Sequence, residues 1–135
     1  MKYFIDSNVF LRYYSHDDAA QGKQVKTLLI KAKERKIEIY CAPPVFFEVA
    51  WVLKSAYSLK NEEILNVLES MLSTPNLQVL DEDIVRDAIT LAHETGQGFA
   101  DSYIAVTAKK FGTGVATFNQ KHFSKLGATL YPFND

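Results

Sequence analysis

The chain has little cysteine, proline or glycine: one, four and six residues respectively among 135. The single cysteine, Cys41, excludes an internal disulfide, and its neighbours Tyr40 and Ala42 suggest a small buried hydrophobic residue rather than a reactive thiol. No stretch rich in glycine, serine or proline interrupts the sequence, so nothing marks a linker. We therefore expect a single domain covering residues 1–135.

A charge excess of either sign is also absent, since 15 Lys and Arg stand against 16 Asp and Glu. Without an overall basic field, an anionic partner has to be attracted locally or through bound cations. No apolar run approaches the ~20 residues that a membrane helix needs. The segment from Met1 leads directly into an apolar run without the pattern of a signal peptide. We expect a cytoplasmic protein that does not cross a membrane.

Short apolar segments alternate with segments of helical periodicity. Strands are expected at 3–5, 37–41, 77–80 and 115–117, with a fifth, weaker one at 128–131. The pattern predicts helices after Asp6, from Asp17 or Asp18 to about Arg35, over 45–57 and 61–72, after Asp81, and over 99–111. This alternation favours a small parallel sheet with right-handed crossovers, covered by helices. The run Tyr3-Phe4-Ile5 suits a first strand that is buried on both faces.

Four polar residues occupy positions that this topology brings to one edge of the sheet. Asp6 follows the first strand, and Glu48 lies in the first turns of the helix after the second strand. Asp101 opens the helix before the fourth strand, and Asn119 follows that strand. The carboxyl edge of a parallel sheet is where open α/β proteins bind their ligands.

Glu48 and Asp101 lie within apolar surroundings, where a buried charge is costly unless a cation or hydrogen bonds compensate it. Three carboxylates in one place would repel each other, and a hard divalent cation would remove that repulsion. Mg²⁺ prefers a few carboxylates together with water and substrate phosphate. The pattern therefore indicates phosphodiester chemistry at a metal site formed by Asp6, Glu48 and Asp101.

Each of these residues also has a plainer interpretation. Asp6 could cap the first helix, Glu48 could lie on a solvated stripe, and Asp101 could be favoured by the helix dipole. Asn119 is most simply a turn residue. The shared placement on one edge favours the functional interpretation for the three acids.

Four segments carry a resemblance to a known family: Phe4–Asn8, Phe47–Val49, Phe99–Tyr103 and Ala116–Asn119. They resemble, in order and spacing, the motifs of PIN-domain ribonucleases, and the nearest subgroup is the VapC-type toxins of toxin–antitoxin pairs. The resemblance covers nearly the whole chain. It implies a three-layer α/β/α sandwich with a central parallel sheet, Mg²⁺- or Mn²⁺-dependent cleavage of RNA, a homodimer, and inhibition by a small antitoxin protein.

The same resemblance implies roles for individual residues. Asp6, Glu48 and Asp101 would hold the metal and carry the catalysis. The positions expected to shape the site around them are Ser7, Asn8, Thr117 and Asn119, with Asn8 bonded to a carboxylate.

Asn119 departs from the resemblance, because the family usually has an aspartate at this position. An asparagine offers a carbonyl oxygen but no negative charge, so a second metal would be held less tightly. We therefore expect one well-bound Mg²⁺, with a second ion arriving together with RNA phosphate.

Basic residues near the same edge are the expected contacts to RNA phosphate. Arg12, Lys121 and His122 follow the motifs, whereas the lysines of the second helix are interpreted as a solvated face. Phosphate contacts of this kind make binding depend on salt.

Apolar residues of the central helices are expected either in the core or in an interface with a second copy or an antitoxin. The residues concerned are Trp51, Leu53, Tyr57 and Leu59.

Two other functions remain open at this point. The chain could be an inactive PIN scaffold that binds RNA or a protein, which only Asn119 supports. Haloacid-dehalogenase-like phosphatases also place an aspartate after the first strand. They need a second acid two residues later, where this chain has Asn8.

Overall fold

The computed structural model describes residues 1–133, which form short parallel strands surrounded by helices. In chain order the elements are β1 Lys2–Phe4, α1 Ser7–Ser15, α2 Ala19–Lys33, β2 Glu38–Cys41, α3 Pro43–Ser55, α4 Asn61–Leu72, β3 Leu77–Val79, α5 Glu82–Thr95, α6 Phe99–Lys110 and α7 Gln120–Lys125. Among the described residues, no helix is long and apolar enough to cross a membrane.

The sheet has the strand order β1-β2-β3, and both pairings are parallel. Phe4 is opposite Tyr40, and Cys41 is opposite Val79. One further bond extends the ladder beyond β1, since Ile5 N–H donates to the Tyr40 carbonyl at 2.8 Å. The three strands therefore end at one edge, and the expected small parallel sheet of a three-layer α/β/α fold is confirmed.

The main core lies between this sheet and the central helices. Ile39 and Cys41 of β2 are fully buried, as are Phe46 of α3 and Leu68 of α4. Ile39, Phe46 and Leu68 each contribute about 1.5–3 kcal/mol through their removal from water. The expectation that Cys41 is a small buried hydrophobic residue is confirmed.

The expectation that the first strand is buried on both faces is wrong. Tyr3 is 44% exposed and Phe4 is 66% exposed, whereas Ile5, just beyond β1, is buried. Within residues 1–133, β1 pairs only with β2 and is therefore an edge strand. Phe4 has the ring of Tyr40 at 5.5 Å on the neighbouring strand, but most of its surface faces solvent.

Instead of the predicted fourth and fifth strands, the structure has one isolated β-bridge between those two segments. Val115 and Leu130 form an isolated parallel pair, with Val115 N–H donating to the Thr129 carbonyl at 2.7 Å. The two segments are too short to extend the pairing, and helix α7, which the sequence pattern did not predict, lies between them. Val115 instead belongs to a second small core with Ala105, Phe123 and Leu126.

Helix boundaries differ from the prediction by small amounts. Helix α2 ends at Lys33 because the chain turns at Arg35, where φ is +63°. Asp18 caps this helix as expected, its Oδ1 accepting from Gln21 N–H at 3.0 Å. Asp81 precedes α5 in the left-handed region with φ of +52°, but its side chain makes no capping bond.

Candidate functional site

Asp6 lies directly beyond the last ladder bond of β1 and immediately before α1. Its backbone is extended, with φ −86° and ψ 162°, and its side chain makes no capping bond to the helix. The carboxylate is exposed, and Asn8 Nδ2 donates to its Oδ2 over a long 3.4 Å. Because the side chain does not cap α1, the plainer interpretation of Asp6 finds no support in the structure.

The first turn of α1 is anchored by buried residues on either side of this acid. Ser7 is 1% exposed, and Phe10 packs into the main core. Ile5 is buried on the strand side. Asp6 is therefore an exposed acid whose two neighbours in the chain, Ile5 and Ser7, are both buried. This burial restricts the movement of the backbone that carries the carboxylate.

Glu48 lies in the second turn of α3, the helix that Pro43 opens. Its side chain is exposed, so the expectation that burial makes this charge costly is wrong. In a helix, Phe46, Val49 and Leu53 share the buried face, and Glu48 projects away from it. An apolar run in a helix therefore buries only the positions that share its inner face, and Glu48 is not among them.

Asp101 lies in the first turn of α6 and is half-buried. The next residue, Ser102, is fully buried, and its Oγ donates to the Gly98 carbonyl at 2.8 Å. This bond closes the first turn of the helix, so the backbone that carries Asp101 is well fixed.

An aromatic cluster joins the helices that carry Glu48 and Asp101. Phe47 has its ring centre 5.0 Å from that of Phe99 and 4.9 Å from that of Tyr103. Phe47 directly precedes Glu48, while the other two rings lie two residues to either side of Asp101. Aromatic pairs of this kind contribute about 0.5–1.5 kcal/mol each beyond their buried area. The cluster was not predicted, although the aromatic residues next to the acids were a visible signal.

A salt bridge joins α5 to the far end of α6, the helix that carries Asp101. Lys110 Nζ lies 2.5 Å from Asp83 Oδ2. The hydrogen bond from Lys110 lowers the pKa of Asp83, and the same bond raises the pKa of Lys110. Both groups are exposed, so the pair contributes little to stability.

His122, near the start of α7, lies beside Asp101. His122 Nδ1 lies 3.8 Å from Asp101 Oδ2 and 2.8 Å from Asn119 Nδ2. The Asn119 backbone N–H donates to Thr117 Oγ1 at 2.9 Å, which shapes the turn before the helix. The position of His122 beside Asp101 was not predicted.

The other residues expected to contact phosphate lie in different places. Arg12 Nε donates to Gln21 Oε1 at 2.6 Å, so this side chain is directed to α2. Lys121 is exposed on α7. The structure therefore brings His122 to Asp101 and places Arg12 between the first two helices.

The three acids fit a hard divalent cation in their chemistry, because all are carboxylates. Within residues 1–133, neither Asp6 nor Glu48 takes part in an ion pair, and Asp101 is paired only with His122. Their spacing is wider than a metal site requires: in this part of the chain no three acid, histidine or cysteine side chains are close enough to hold one ion.

These features define an α/β protein with acidic residues supplied by the end of β1, the second turn of α3 and the first turn of α6. A family model described as the PIN domain matches residues 3–128. The chain belongs to the PIN domain family. It is also 24% identical over 132 residues to a VapC ribonuclease of Aquifex aeolicus (strain VF5), an alignment that covers 97% of each chain.

Proposed function

We propose that this chain is a divalent-metal-dependent endoribonuclease. The observation that carries the proposal is the position of Asp6 immediately before α1, of Glu48 on α3 and of Asp101 on α6 in a PIN domain. Helix α1 packs against α3, and α3 packs against α6. The similarity to a VapC ribonuclease supports RNA as the substrate.

In the proposed site, Mg²⁺ or Mn²⁺ would be held by Asp6, Glu48 and Asp101. When bound, such an ion lowers the pKa of water and stabilises charge on a phosphate. The proposal requires the three carboxylates to approach one another more closely than the structure places them. Asp6 and Asp101 would be direct ligands, and exposed Glu48 would act through water or orient the attacking water.

The cleaved bond in this proposal is P–O3′. The oxygen of water attacks phosphorus, the 3′-oxygen leaves and takes up a proton, and the products carry a 5′-phosphate and a 3′-hydroxyl. Asn8 would orient the Asp6 carboxylate through the bond to Oδ2. His122, next to Asp101, and Lys121, exposed on the same helix, would contact phosphate oxygens of the RNA.

Asn119 bears on the number of metal ions. Its amide contacts His122 at 2.8 Å and adds no negative charge. We therefore propose one well-bound ion, with a second that joins with RNA phosphate.

As to its biological role, we propose that the chain is the cytoplasmic toxin of a toxin–antitoxin pair and that it forms a homodimer. Trp51 supports an interface on α3, because this large apolar side chain is 70% exposed. Of the two positions left open for Leu53, the structure shows the core, and Tyr57 and Leu59 pack partly against that core.

The test is cleavage of single-stranded RNA in Mg²⁺, in Mn²⁺ and in excess EDTA, with identification of the ends formed. The proposal expects metal-dependent cleavage that leaves 5′-phosphates, and no cleavage in EDTA. Cleavage that continues at the same rate in EDTA would contradict it.

The wide spacing of the acids favours one second candidate, a PIN scaffold that binds RNA or protein without cleaving. A titration of Mn²⁺ against the thermal unfolding temperature separates the two, because an ion that binds the folded state stabilises it. An unchanged temperature at millimolar Mn²⁺ would favour the scaffold. Membership of the PIN family gives no support to the phosphatase alternative.

A further inference from the structure

Three aromatic side chains near the end of the described chain are exposed and lie in contact with one another. Phe118 is 87% exposed, Tyr131 is 56% exposed and Phe133 is 46% exposed. The rings of Phe118 and Phe133 are stacked with their centres 4.5 Å apart, and the ring centre of Tyr131 lies 4.9 Å from that of Phe133 in an edge-to-face arrangement. We call these three residues the C-terminal aromatic cluster. A contiguous exposed apolar patch of this kind marks an interaction surface.

Backbone hydrogen bonds hold the two segments of this cluster side by side. Val115 N–H donates to the Thr129 carbonyl at 2.7 Å, and Tyr131 N–H donates to the Val115 carbonyl at 2.9 Å. Val115 is itself buried in the second small core. The segment that carries Tyr131 and Phe133 is therefore tied to the segment that carries Phe118, so the rings are in contact before any partner binds. Such prior ordering reduces the entropy cost of binding.

The cluster is connected to the proposed site by a short series of contacts. Phe118 directly precedes Asn119, and their Cα atoms are about 3.8 Å apart. The side-chain amide of Asn119 lies 2.8 Å from His122 Nδ1, and the same ring nitrogen lies 3.8 Å from Asp101 Oδ2. Phe118 is therefore attached to the backbone directly beside the residues that contact Asp101.

Positive charge lies on the helix that follows Phe118. Lys121 and Lys125 of α7 are exposed, and within residues 1–133 neither takes part in an ion pair. The sequence of α7 contains no acidic residue. Exposed aromatic rings beside uncompensated cations fit a ligand that offers flat uncharged faces together with anionic groups. The unpaired bases and the phosphates of single-stranded RNA have this chemistry.

We infer that the C-terminal aromatic cluster is a stacking platform for an unpaired base of the RNA that the site binds, with Phe118 against the base and Lys121 on a neighbouring phosphate. This inference deepens the proposed ribonuclease function and rests on it. Stacking on an aromatic ring accepts any base, because every base has a π-face. In a duplex the neighbouring base pairs cover that face, so the platform selects RNA that is unpaired at this position.

The test measures the binding of a labelled twelve-nucleotide RNA of alternating C and U to the full chain by fluorescence anisotropy in EDTA. Removal of metal prevents metal-dependent cleavage, so the affinity can be measured whether or not the chain is a nuclease. The variants are Phe118→Ala, Phe118→Leu and Phe118→Trp, which leave the core intact because Phe118 is exposed. The matched control is Phe111→Ala, since Phe111 is 72% exposed at the end of α6 and lies outside the cluster.

We expect Phe118→Ala and Phe118→Leu to bind the single strand about tenfold more weakly, because both remove the ring. Phe118→Trp should bind at least as tightly as the parent chain, and Phe111→Ala should bind with the parent affinity. The slope of log affinity against log salt should be unchanged in Phe118→Leu and reduced by about 0.7 in Lys121→Ala. The duplex with the complementary strand should bind equally to the parent chain and to Phe118→Leu.

Equal affinity of Phe118→Leu and Phe111→Ala for the single strand would overturn the inference, and so would a parent chain that does not bind this RNA. A protein partner as the true occupant of the cluster would give the first of these results. If the parent chain still cleaved RNA in a metal-dependent manner, the proposed function would stand and the stacking platform alone would fail. Binding that depends on Phe118, without cleavage at any metal concentration, would support the platform and contradict the proposed function.

Discussion

His122 Nδ1 lies 3.8 Å from the carboxylate of Asp101 and 2.8 Å from the side-chain amide of Asn119. Asn119, which stands where the family usually has an aspartate, is thus linked to Asp101 through the imidazole of His122. Because one ring nitrogen cannot donate to Asp101 and accept from Asn119 at once, the two contacts compete. The side-chain amide of Asn119 therefore affects whether His122 Nδ1 can donate to the Asp101 carboxylate.

Replacing Asn119 with aspartate should lower the Mg²⁺ concentration needed for half-maximal RNA cleavage, by about fivefold. The added carboxylate brings a negative charge and a hard ligand to the edge where the metal is proposed. The measurement is the cleavage rate over a Mg²⁺ titration. Asn66→Asp, on the exposed side of α4, is the control for added charge. A Mg²⁺ requirement shifted equally in both variants would contradict a specific role for position 119.

Substitution of Trp51 by glutamate should convert the proposed dimer to a monomer without lowering stability. Trp51 is 70% exposed, so the folded monomer loses little when it is replaced, while a charge in place of the buried indole would disfavour the proposed association. Sedimentation equilibrium at tens of micromolar measures the change. A wild-type chain that sediments as a monomer would contradict the proposed interface.

Cys41 should resist alkylation in the folded protein. Burial raises the pKa of its thiol to about 12, so almost no thiolate is present at pH 8. In the unfolded chain the thiol ionises near its ordinary value of 9.0. The neutral buried thiol therefore stabilises the fold fully below pH 9, and this contribution is lost as the pH rises toward 12.

Iodoacetamide labelling followed by mass spectrometry measures this protection. The folded protein should remain unmodified at pH 8 while the chain in denaturant reacts. Equal rates in the two states would show that Cys41 is accessible and would contradict its place in the core.

Gly114→Ala should destabilise the protein by about 1–3 kcal/mol. A Cβ at this position would lie 2.8 Å from the Thr129 carbonyl oxygen, and the Val115 bridge requires that close approach. Chemical denaturation measures the free energy of unfolding. Gly98→Ala is the control, since nothing lies within 4 Å of its added Cβ. If the two variants were equally stable, the bridge would not hold the C-terminal segment as described.

Local patterns were sufficient to predict most helices, the parallel sheet and the order of the acidic positions. Asp18 shows why, because a capping aspartate before a periodic segment acts within a few residues of itself. The position of Glu48 in the early turns of α3 follows in the same way from Pro43 and Pro44. These features depend on residues that are close together in the sequence, and they can therefore be predicted from it.

Features that depend on distant parts of the chain were not predicted. The exposure of Phe4 depends on which elements cover β1, and an apolar run contains no such information. The approach of His122 to Asp101 depends on the placement of α7 against α6, and α7 is a short helix without a clear apolar period.

The central claim is that Asp6, Glu48 and Asp101 act together on one metal ion to cleave RNA. It is tested most directly by the rate of RNA cleavage in Mg²⁺ for Asp6→Asn, Glu48→Gln and Asp101→Asn, compared with Asp87→Asn, an exposed acid on α5. The account predicts a loss of about a hundredfold or more for each of the first three, since each removes a charge that holds the ion, and no loss for the control. Cleavage by Asp6→Asn at the rate of the parent chain would contradict it.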